Sequence, residues 1–192
     1  NYLFIKIILK YFRRLITFRT KFENFENSIN NYKIFLKFLK KKNVILEKLR
    51  IVKKTKFHND ITLNSIFNKI YNKKNLLKID IEGSEYEIID DIIKHNLKIK
   101  MLIIEFHWIN KNNKLFIKSL KKLKKQFDIV HIHVNNYRPK KNTDDIFDVI
   151  EITMVHRNTN KYRKDLRLKF PIKNLDYECF PQHKKIFFSF KN

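Results

Sequence analysis

The chain has 192 residues, a formal net charge of +24 and 43% hydrophobic residues. This apolar fraction excludes a disordered basic tail and allows a domain with its own core. The sequence contains 1 glycine, 3 prolines and no alanine. Codons for these residues are GC-rich, whereas those for lysine, asparagine, isoleucine and phenylalanine are AT-rich. We therefore assign much of the positive charge to coding composition, because net charge affects solubility and non-specific binding rather than fold.

The first segment is apolar but carries no targeting signal of a known type. Residues 1–18 are interrupted by four basic side chains, so they lack the roughly 18 uninterrupted apolar residues of a membrane span. They also lack the features of a signal peptide. The single cysteine, Cys179, excludes an internal disulfide and a cysteine zinc cluster and fits a reducing compartment. We expect a cytoplasmic protein without a membrane span.

Residues 1–43 form a predicted helical preface. Apolar residues recur at helical spacing over residues 3–16 and 29–39, which indicates two amphipathic helices. We favour packing of their apolar faces against a core, with a membrane-surface helix as the alternative.

The pattern changes to alternating strands and helices over residues 44–192, which we predict as the second domain. After a short apolar run at 44–52, the predicted strands cover 76–81, 101–108, 129–134 and 149–155. The predicted helices cover 62–71, 85–95 and 114–126. This alternation is typical of an α/β fold with a mostly parallel sheet. No helix separates the last two strands, so we expect an antiparallel strand near the C-terminus, in an edge region of the sheet.

Polar side chains occur in the second half of each of these four predicted strands or just past its end. They share one strand face within each of four groups: Asp80 with Glu82; Glu105 with His107; His131 with His133 and Asn135; Glu151 with Thr153. Burying an unpaired carboxylate costs several kcal/mol, so a shared polar cleft explains the four groups better than four isolated polar residues. Ligands of open α/β sheets bind beyond the carboxyl ends of the strands, where these groups lie.

Two chemistries fit such a cleft. In the first, Asp80, Glu105, His107 and His133 are catalytic residues, because carboxylates and imidazoles exchange protons near neutral pH. In the second, the same four side chains hold a divalent metal through mixed oxygen and nitrogen ligands. The sequence has no His-Glu-x-x-His motif or comparable spacing, so our prediction assigns no metal.

One string carries a family resemblance. Residues 80–86 read Asp-Ile-Glu-Gly-Ser-Glu-Tyr after Leu-Leu-Lys-Ile, and they resemble the Lys-Ile-Asp-x-Glu-Gly-x-Glu signature of FkbM-type and related class I S-adenosylmethionine-dependent methyltransferases. Thr62 and Leu63 resemble the family's lead-in to that strand. The strings Ile-Glu-Phe-His at 104–107, His-Ile-His-Val-Asn-Asn-Tyr at 131–137 and Ile-Glu-Ile-Thr at 150–153 are similar to its later motifs. The resemblance runs from about Val44 to the C-terminus.

The resemblance implies a Rossmann-like class I methyltransferase fold and S-adenosylmethionine as cofactor. Asp80, Glu82 and Gly83 would then border the cofactor, and Glu105 and His107 would lie at the next strand end. The implied reaction is O-methylation, with a glycan or small molecule as the acceptor.

Gly83 is the only glycine of the sequence. Between a strand and a helix, a glycine permits a positive φ or the close approach of another group, and Ser84 is placed to cap the helix that follows. The family's cofactor site uses a glycine-rich turn and an acidic residue that contacts the ribose, but no second glycine is available here. We therefore expect a C-terminal part of the domain, incomplete at its N-terminus, that binds the cofactor weakly or not at all.

Two alternatives use other features of the chain. A basic nucleic-acid-binding module would use the lysines at 40–42, 121–125 and 140–141, but these are spread over all segments and lack a recognition motif. We expect no specific nucleic-acid partner. A non-catalytic remnant of the family is the other alternative.

Overall fold

The computed structural model describes residues 22–42, 44–71, 74–136, 147–159, 169–183 and 186–189. The chain divides into two units, residues 1–48 and 49–192. The helix predicted at residues 3–16 lies outside the described residues.

The first unit contains helix α1, Phe22–Leu39. It confirms the helix predicted at 29–39 and begins seven residues earlier. Tyr32 is buried, whereas Ile34, Phe35 and Phe38 are exposed. Among the helices in the described ranges, none combines the length and the apolar composition needed to cross a bilayer.

The second unit contains a four-stranded sheet. Its strands are β3 (Asn75–Ile79), β4 (Ile99–Phe106), β5 (Phe127–Val134) and β6 (Ile150–His156), in the spatial order β3-β4-β6-β5. Strands β3 and β4 pair in parallel, and β6 pairs antiparallel with both β4 and β5. Three strands therefore run in one direction and β6 runs in the other.

The sequence predicted that the antiparallel strand lies in an edge region of the sheet, and this prediction was wrong. Strand β6 lies between β4 and β5, and every second residue of it is buried. Its position follows from its apolar residues Ile150, Ile152 and Met154, which join the core as residues of an interior strand do. The prediction of one antiparallel strand near the C-terminus is confirmed.

The first predicted apolar run, at 44–52, is a strand over only two residues, β1 (Arg50–Ile51). It pairs in parallel with β2 (Asp60–Ile61), which the sequence pattern did not identify. Two further short strands, β7 (Lys169–Phe170) and β8 (Phe188–Ser189), form an antiparallel pair.

Helices connect the strands of the sheet. Helix α2 (Leu63–Lys69) begins after Thr62, whose Oγ1 accepts a hydrogen bond from the Ser65 N–H at 3.0 Å, a common N-cap arrangement. Helix α3 (Ile89–Lys94) lies between β3 and β4, and helix α4 (Ile109–Leu123) lies between β4 and β5. A short 3-10 helix, Arg157–Thr159, follows β6.

The helix predicted at 85–95 is divided into shorter elements. A 3-10 helix, Glu85–Glu87, precedes α3, and a second one, Asn96–Lys98, follows it. Ser84 makes no side-chain capping bond, so the predicted cap was wrong. The Glu85 side chain turns back to the preceding backbone instead and holds the residues between β3 and α3 in a turn.

The two faces of the sheet differ in polarity. Leu102, Ile104 and Phe106 of β4 are fully buried and share the core with residues of α2, α3 and α4. Residues paired across the strands share a face, and on the other face Glu105 pairs with Glu151, which pairs with His133. One face therefore builds the core, and the other carries polar groups.

Candidate active site

A polar row crosses the sheet at the carboxyl end of β3 and β4. Asp80 follows Ile79, the partner of Ile104, so Asp80 stands beside Glu105. The pairs Glu105–Glu151 and Glu151–His133 extend this row across the sheet. The structure thus brings three of the four predicted catalytic side chains, Asp80, Glu105 and His133, to one face of the sheet.

His107 is the centre of the contacts at this end of the sheet. Its side chain is 9% exposed, and its Nδ1 lies 2.9 Å from Oε1 of Glu85, which is completely buried. The hydroxyl of Tyr86 donates a hydrogen bond to the His107 carbonyl at 2.8 Å, and burial raises the pKa of Tyr86. Both the ring and the backbone of His107 are therefore fixed.

Glu85 is a site residue that sequence reasoning missed. Its Oε1 accepts hydrogen bonds from the Ile81 N–H at 3.2 Å and from the Gly83 N–H at 3.0 Å, and its Oε2 also lies 3.0 Å from Gly83 N. Because its oxygens act as acceptors, Nδ1 of His107 must be the donor in their contact. The signal was present, since Glu85 is the last acidic residue of the Asp-x-Glu-Gly-x-Glu string.

Gly83 has both of the features for which a glycine was expected: a positive φ and the close approach of another group. Its φ is +107°, and a Cβ at this position would lie 2.9 Å from Cδ1 of Trp108. Glu82 and Trp108 on either side of this contact also have positive φ values, of 53° and 57°. The steric requirement for glycine here is therefore the close approach of the indole.

Nε2 of His107 faces two further carboxylates. It lies 3.7 Å from Asp80 Oδ1 and 3.7 Å from Glu82 Oε2. The Asp80 and Glu82 side chains are 45% and 80% exposed, so this contact is accessible to a ligand from solvent. Since Nδ1 donates to Glu85, Nε2 carries the lone pair of the neutral ring.

These groups line a cleft of about 280 Å³. The Glu105 side chain lines this cleft, and its Oε1 accepts a hydrogen bond from the Asn135 side-chain amide at 3.0 Å. The cleft also has apolar walls, which the sequence did not identify. Its lining residues are Asp80, Glu82, Glu105, His107, Trp108, Asn135, Val149 and Phe180. We call it the acidic cleft.

Three of these residues also meet the spacing of a metal site. Ligand atoms of Asp80, Glu105 and His107 all lie within 4.8 Å of one another. Two carboxylates and an imidazole suit several divalent metals, and Glu85 would orient the imidazole from behind. These three residues thus fit either of the two chemistries weighed from the sequence, whereas His133, the fourth residue considered, is not part of the cluster.

His133 lies outside the lining of the acidic cleft. Its Nδ1 is 3.3 Å from Oδ1 of Asp176, which is 2.7 Å from His131 Nε2, and its Nε2 is 3.5 Å from Sγ of Cys179. Burial raises the pKa of Asp176, but the Ile172 N–H and the two histidines outweigh this effect and lower it. His133 therefore belongs to a separate polar group, although it shares the sheet face with Glu105.

Lys78 balances part of the charge on this face. Its Nζ lies 2.9 Å from Oε2 of Glu151, and this hydrogen bond, with the charges of Glu151, Glu105 and Asp80, raises its pKa. Glu151 is thereby neutralised, whereas Asp80 and Glu82 form no hydrogen bond with any described residue. The negative charge of this sheet face that no lysine balances therefore lies at the acidic cleft.

Comparison with known proteins gives one result. A family model described as the methyltransferase FkbM domain matches residues 34–179, more than half of the chain and all of the acidic cleft except Phe180. Searches of the curated proteins and of the solved structures return no significant match.

Proposed function

Because the chain belongs to the FkbM methyltransferase domain family, we propose that it transfers a methyl group from S-adenosylmethionine to a hydroxyl oxygen of a glycan or small metabolite. One observation carries this proposal: the His107 ring is held at Nδ1 by buried Glu85, 2.9 Å away, while Nε2 faces the acidic cleft. Strands β3, β4 and β5 share one direction and are connected through helices, which supports a Rossmann-like class I fold.

The residues of the acidic cleft fit one end of this cofactor. S-adenosylmethionine carries its methyl group on a positively charged sulfur, and Asp80, Glu82 and Glu105 place three carboxylates around the cleft. Opposite charges within one cleft attract strongly where water is partly excluded. When bound, the cofactor would supply an electrophilic methyl group, whose bond to sulfur would break with the electron pair staying on sulfur, so that the neutral thioether is the leaving group.

These 192 residues offer fewer contacts to the rest of the cofactor, away from its sulfur. A glycine-rich turn needs several glycines, and Gly83, the only glycine, already packs against Trp108 and donates to Glu85. We therefore expect a high KM for the cofactor, and the reaction is best tested at millimolar concentration.

His107 acts as the general base in this proposal. Its Nε2 accepts the proton of the acceptor hydroxyl, which leaves the electron pair on oxygen to form the new bond to carbon. Asp80 and Glu82, each 3.7 Å from Nε2, stabilise the imidazolium that results. Glu85 keeps the ring oriented and keeps the other proton on Nδ1, as the acidic residue of a catalytic triad does.

The test is methyl transfer to a panel of mono- and oligosaccharides by the wild type, His107→Gln and the control His58→Gln, with products identified by mass spectrometry. His58 is exposed and distant in sequence from the acidic cleft. We expect His107→Gln to lose about 100-fold or more in kcat, the usual contribution of a general base, and His58→Gln to retain the wild-type rate. A His107→Gln enzyme as fast as the wild type would contradict the proposal.

A second arm separates the base from a metal. With His107 as base, dialysis against EDTA leaves the rate unchanged. Loss of activity that added Mg²⁺ or Mn²⁺ restores would instead assign Asp80, Glu105 and His107 to metal binding.

A further inference from the structure

A second, larger cleft lies on the other side of the turn at residues 80–84. Its volume is about 640 Å³, within the range of roughly 300–1,000 Å³ that small-molecule sites occupy. It is lined by residues in and around β1 and by Asp60, together with Ile81, Ser84 and Glu87. We call it the basic cleft, because four cationic side chains line it: Arg50, Lys53, Lys54 and Lys56.

Among the described residues, two carboxylates, Asp60 and Glu87, line the basic cleft, and Asp60 already has partners. Asp60 Oδ1 lies 2.8 Å from both Nε and Nη2 of Arg50, and Oδ2 accepts the N–H groups of Lys56 and Phe57 at 2.8 and 3.0 Å. These contacts lower the pKa of Asp60: the Lys56 N–H is the largest cause, and it outweighs a smaller opposing effect of burial. Asp60 therefore holds Arg50 and the loop in place.

The three lysines are not neutralised in this way. Lys53, Lys54 and Lys56 form no ion pair with any residue in the described part of the chain. Arg50 is fixed further by the Phe57 ring, whose centroid lies 5.3 Å from Cζ. The cleft thus combines one oriented guanidinium with three unpaired ammonium groups, which suits a phosphate or carboxylate group.

The two clefts share one wall. In the turn after β3, Asp80 and Glu82 line the acidic cleft, whereas Ile81 and Ser84 line the basic cleft. An anionic group is repelled by the carboxylates on one side and attracted by the lysines on the other. An anionic group is therefore favoured in the basic cleft and disfavoured in the acidic cleft, where His107 lies.

We propose that the basic cleft binds an anionic group, phosphate or carboxylate, of the methyl acceptor. The identification of that ligand as the acceptor rests on the proposed function, but anion binding itself does not. The acceptor class is thus a phosphorylated or acidic sugar or metabolite rather than a neutral one.

The test uses glucose 6-phosphate, inorganic pyrophosphate and neutral glucose as probes in titration calorimetry on the full chain. The cleft variant is Lys53→Gln/Lys54→Gln/Lys56→Gln. The matched control, Lys121→Gln/Lys124→Gln/Lys125→Gln, removes the same charge from exposed positions on and after α4. Thermal unfolding of both variants verifies that they are folded.

We expect glucose 6-phosphate and pyrophosphate to bind the wild type, and glucose not to bind. The cleft variant should lose about tenfold or more in affinity, which corresponds to about 1.4 kcal/mol or more, and the control should change less than about twofold. Equal losses in both variants would show a general charge effect and overturn the proposal. Weaker S-adenosylmethionine binding with unchanged glucose 6-phosphate binding would assign the cleft to the methyl donor and would also overturn it.

These results do not depend on methyl transfer. If anion binding fails while the sugar panel is methylated, only this inference is lost. If anion binding holds while His107→Gln is fully active, only the proposed base is lost.

Discussion

At the scale of single residues, the acidic cleft depends on Glu85. A fully buried carboxylate is stable only when its oxygens are satisfied, and here two backbone N–H groups and the His107 ring satisfy them. The turn at residues 80–84 and the orientation of His107 therefore depend on one side chain, which is completely buried behind the cleft.

We predict that Glu85→Gln destabilises the protein by about 1–3 kcal/mol, because the amide has only one acceptor oxygen and places N–H groups near other donors. Urea unfolding measures the loss. Glu87→Gln is the matched control: Glu87 is exposed in the same 3-10 helix, so its replacement should cost less than about 0.5 kcal/mol. Equal effects of the two changes would contradict the assigned role.

The same variant tests the tautomer of His107. In the wild type, ¹⁵N NMR should show the proton on Nδ1, because the Glu85 carboxylate only accepts hydrogen bonds. In Glu85→Gln this preference should disappear. A wild-type ring with its proton on Nε2 would remove the lone pair from the acidic cleft and contradict the proposed base.

At the scale of elements, the end of β6 is sensitive to pH. His156 is buried, its Nε2 lies 2.9 Å from Asn96 Oδ1, and its Nδ1 accepts the Asn158 N–H at 3.2 Å. Burial lowers the pKa of His156 below its ordinary value of 6.5. For His95, which precedes the 3-10 helix Asn96–Lys98, burial together with Lys94 and Lys98 also lowers the pKa.

We predict that the free energy of unfolding falls as the pH drops below 6.5. The unfolded chain binds protons at these histidines more readily than the folded chain, so stability increases with pH across this window and is complete above the unfolded pKa. Urea unfolding at about pH 7 and about pH 5.5 measures the change. His156→Gln should reduce this dependence, whereas exposed His58→Gln should leave it unchanged; an identical pH dependence in all three proteins would contradict the assignment.

The elements also show how far sequence periodicity reaches. Strands β3 to β6 and helices α2 and α4 were predictable, because their apolar residues repeat with the spacing of a strand or helix. The sequence predicted one helix at 85–95, whereas the structure has a 3-10 helix followed by α3. The cause is the hydrogen bonding of Glu85 to the preceding backbone, which does not change the spacing of the apolar residues. The pairing of β1 with β2 was missed, since two residues are too few to show a period.

At the scale of the whole molecule, the charge is unevenly distributed. The chain carries +24 overall, yet the acidic cleft contains three carboxylates and one imidazole. Under the proposed function, this local charge attracts a cationic cofactor against the average field of the protein, and the further inference assigns anions to the basic cleft. The wall between the clefts is the segment that carries the family signature.

We predict that these 192 residues bind S-adenosylmethionine with an affinity weaker than micromolar. The physical reason is that the only glycine is already used at the turn beside Trp108, so no glycine-rich turn can form around the rest of the cofactor. Titration calorimetry measures the affinity, with S-adenosylhomocysteine as a control that lacks the positive charge. A micromolar dissociation constant would contradict this prediction.

The sequence alone determined the α/β alternation, the polar strand ends, the steric need for Gly83 and the family signature, because each is a local pattern of residue types. For the same reason, the sequence predicted Asp80, Glu82, Gly83, Glu105, His107 and His133 as site residues. Only the tertiary structure decided that β6 inserts between β4 and β5, that buried Glu85 fixes His107, and that His133 is engaged by Asp176 and Cys179. These facts depend on contacts between residues far apart in sequence or on the direction of a side chain, and neither is encoded in spacing along the chain.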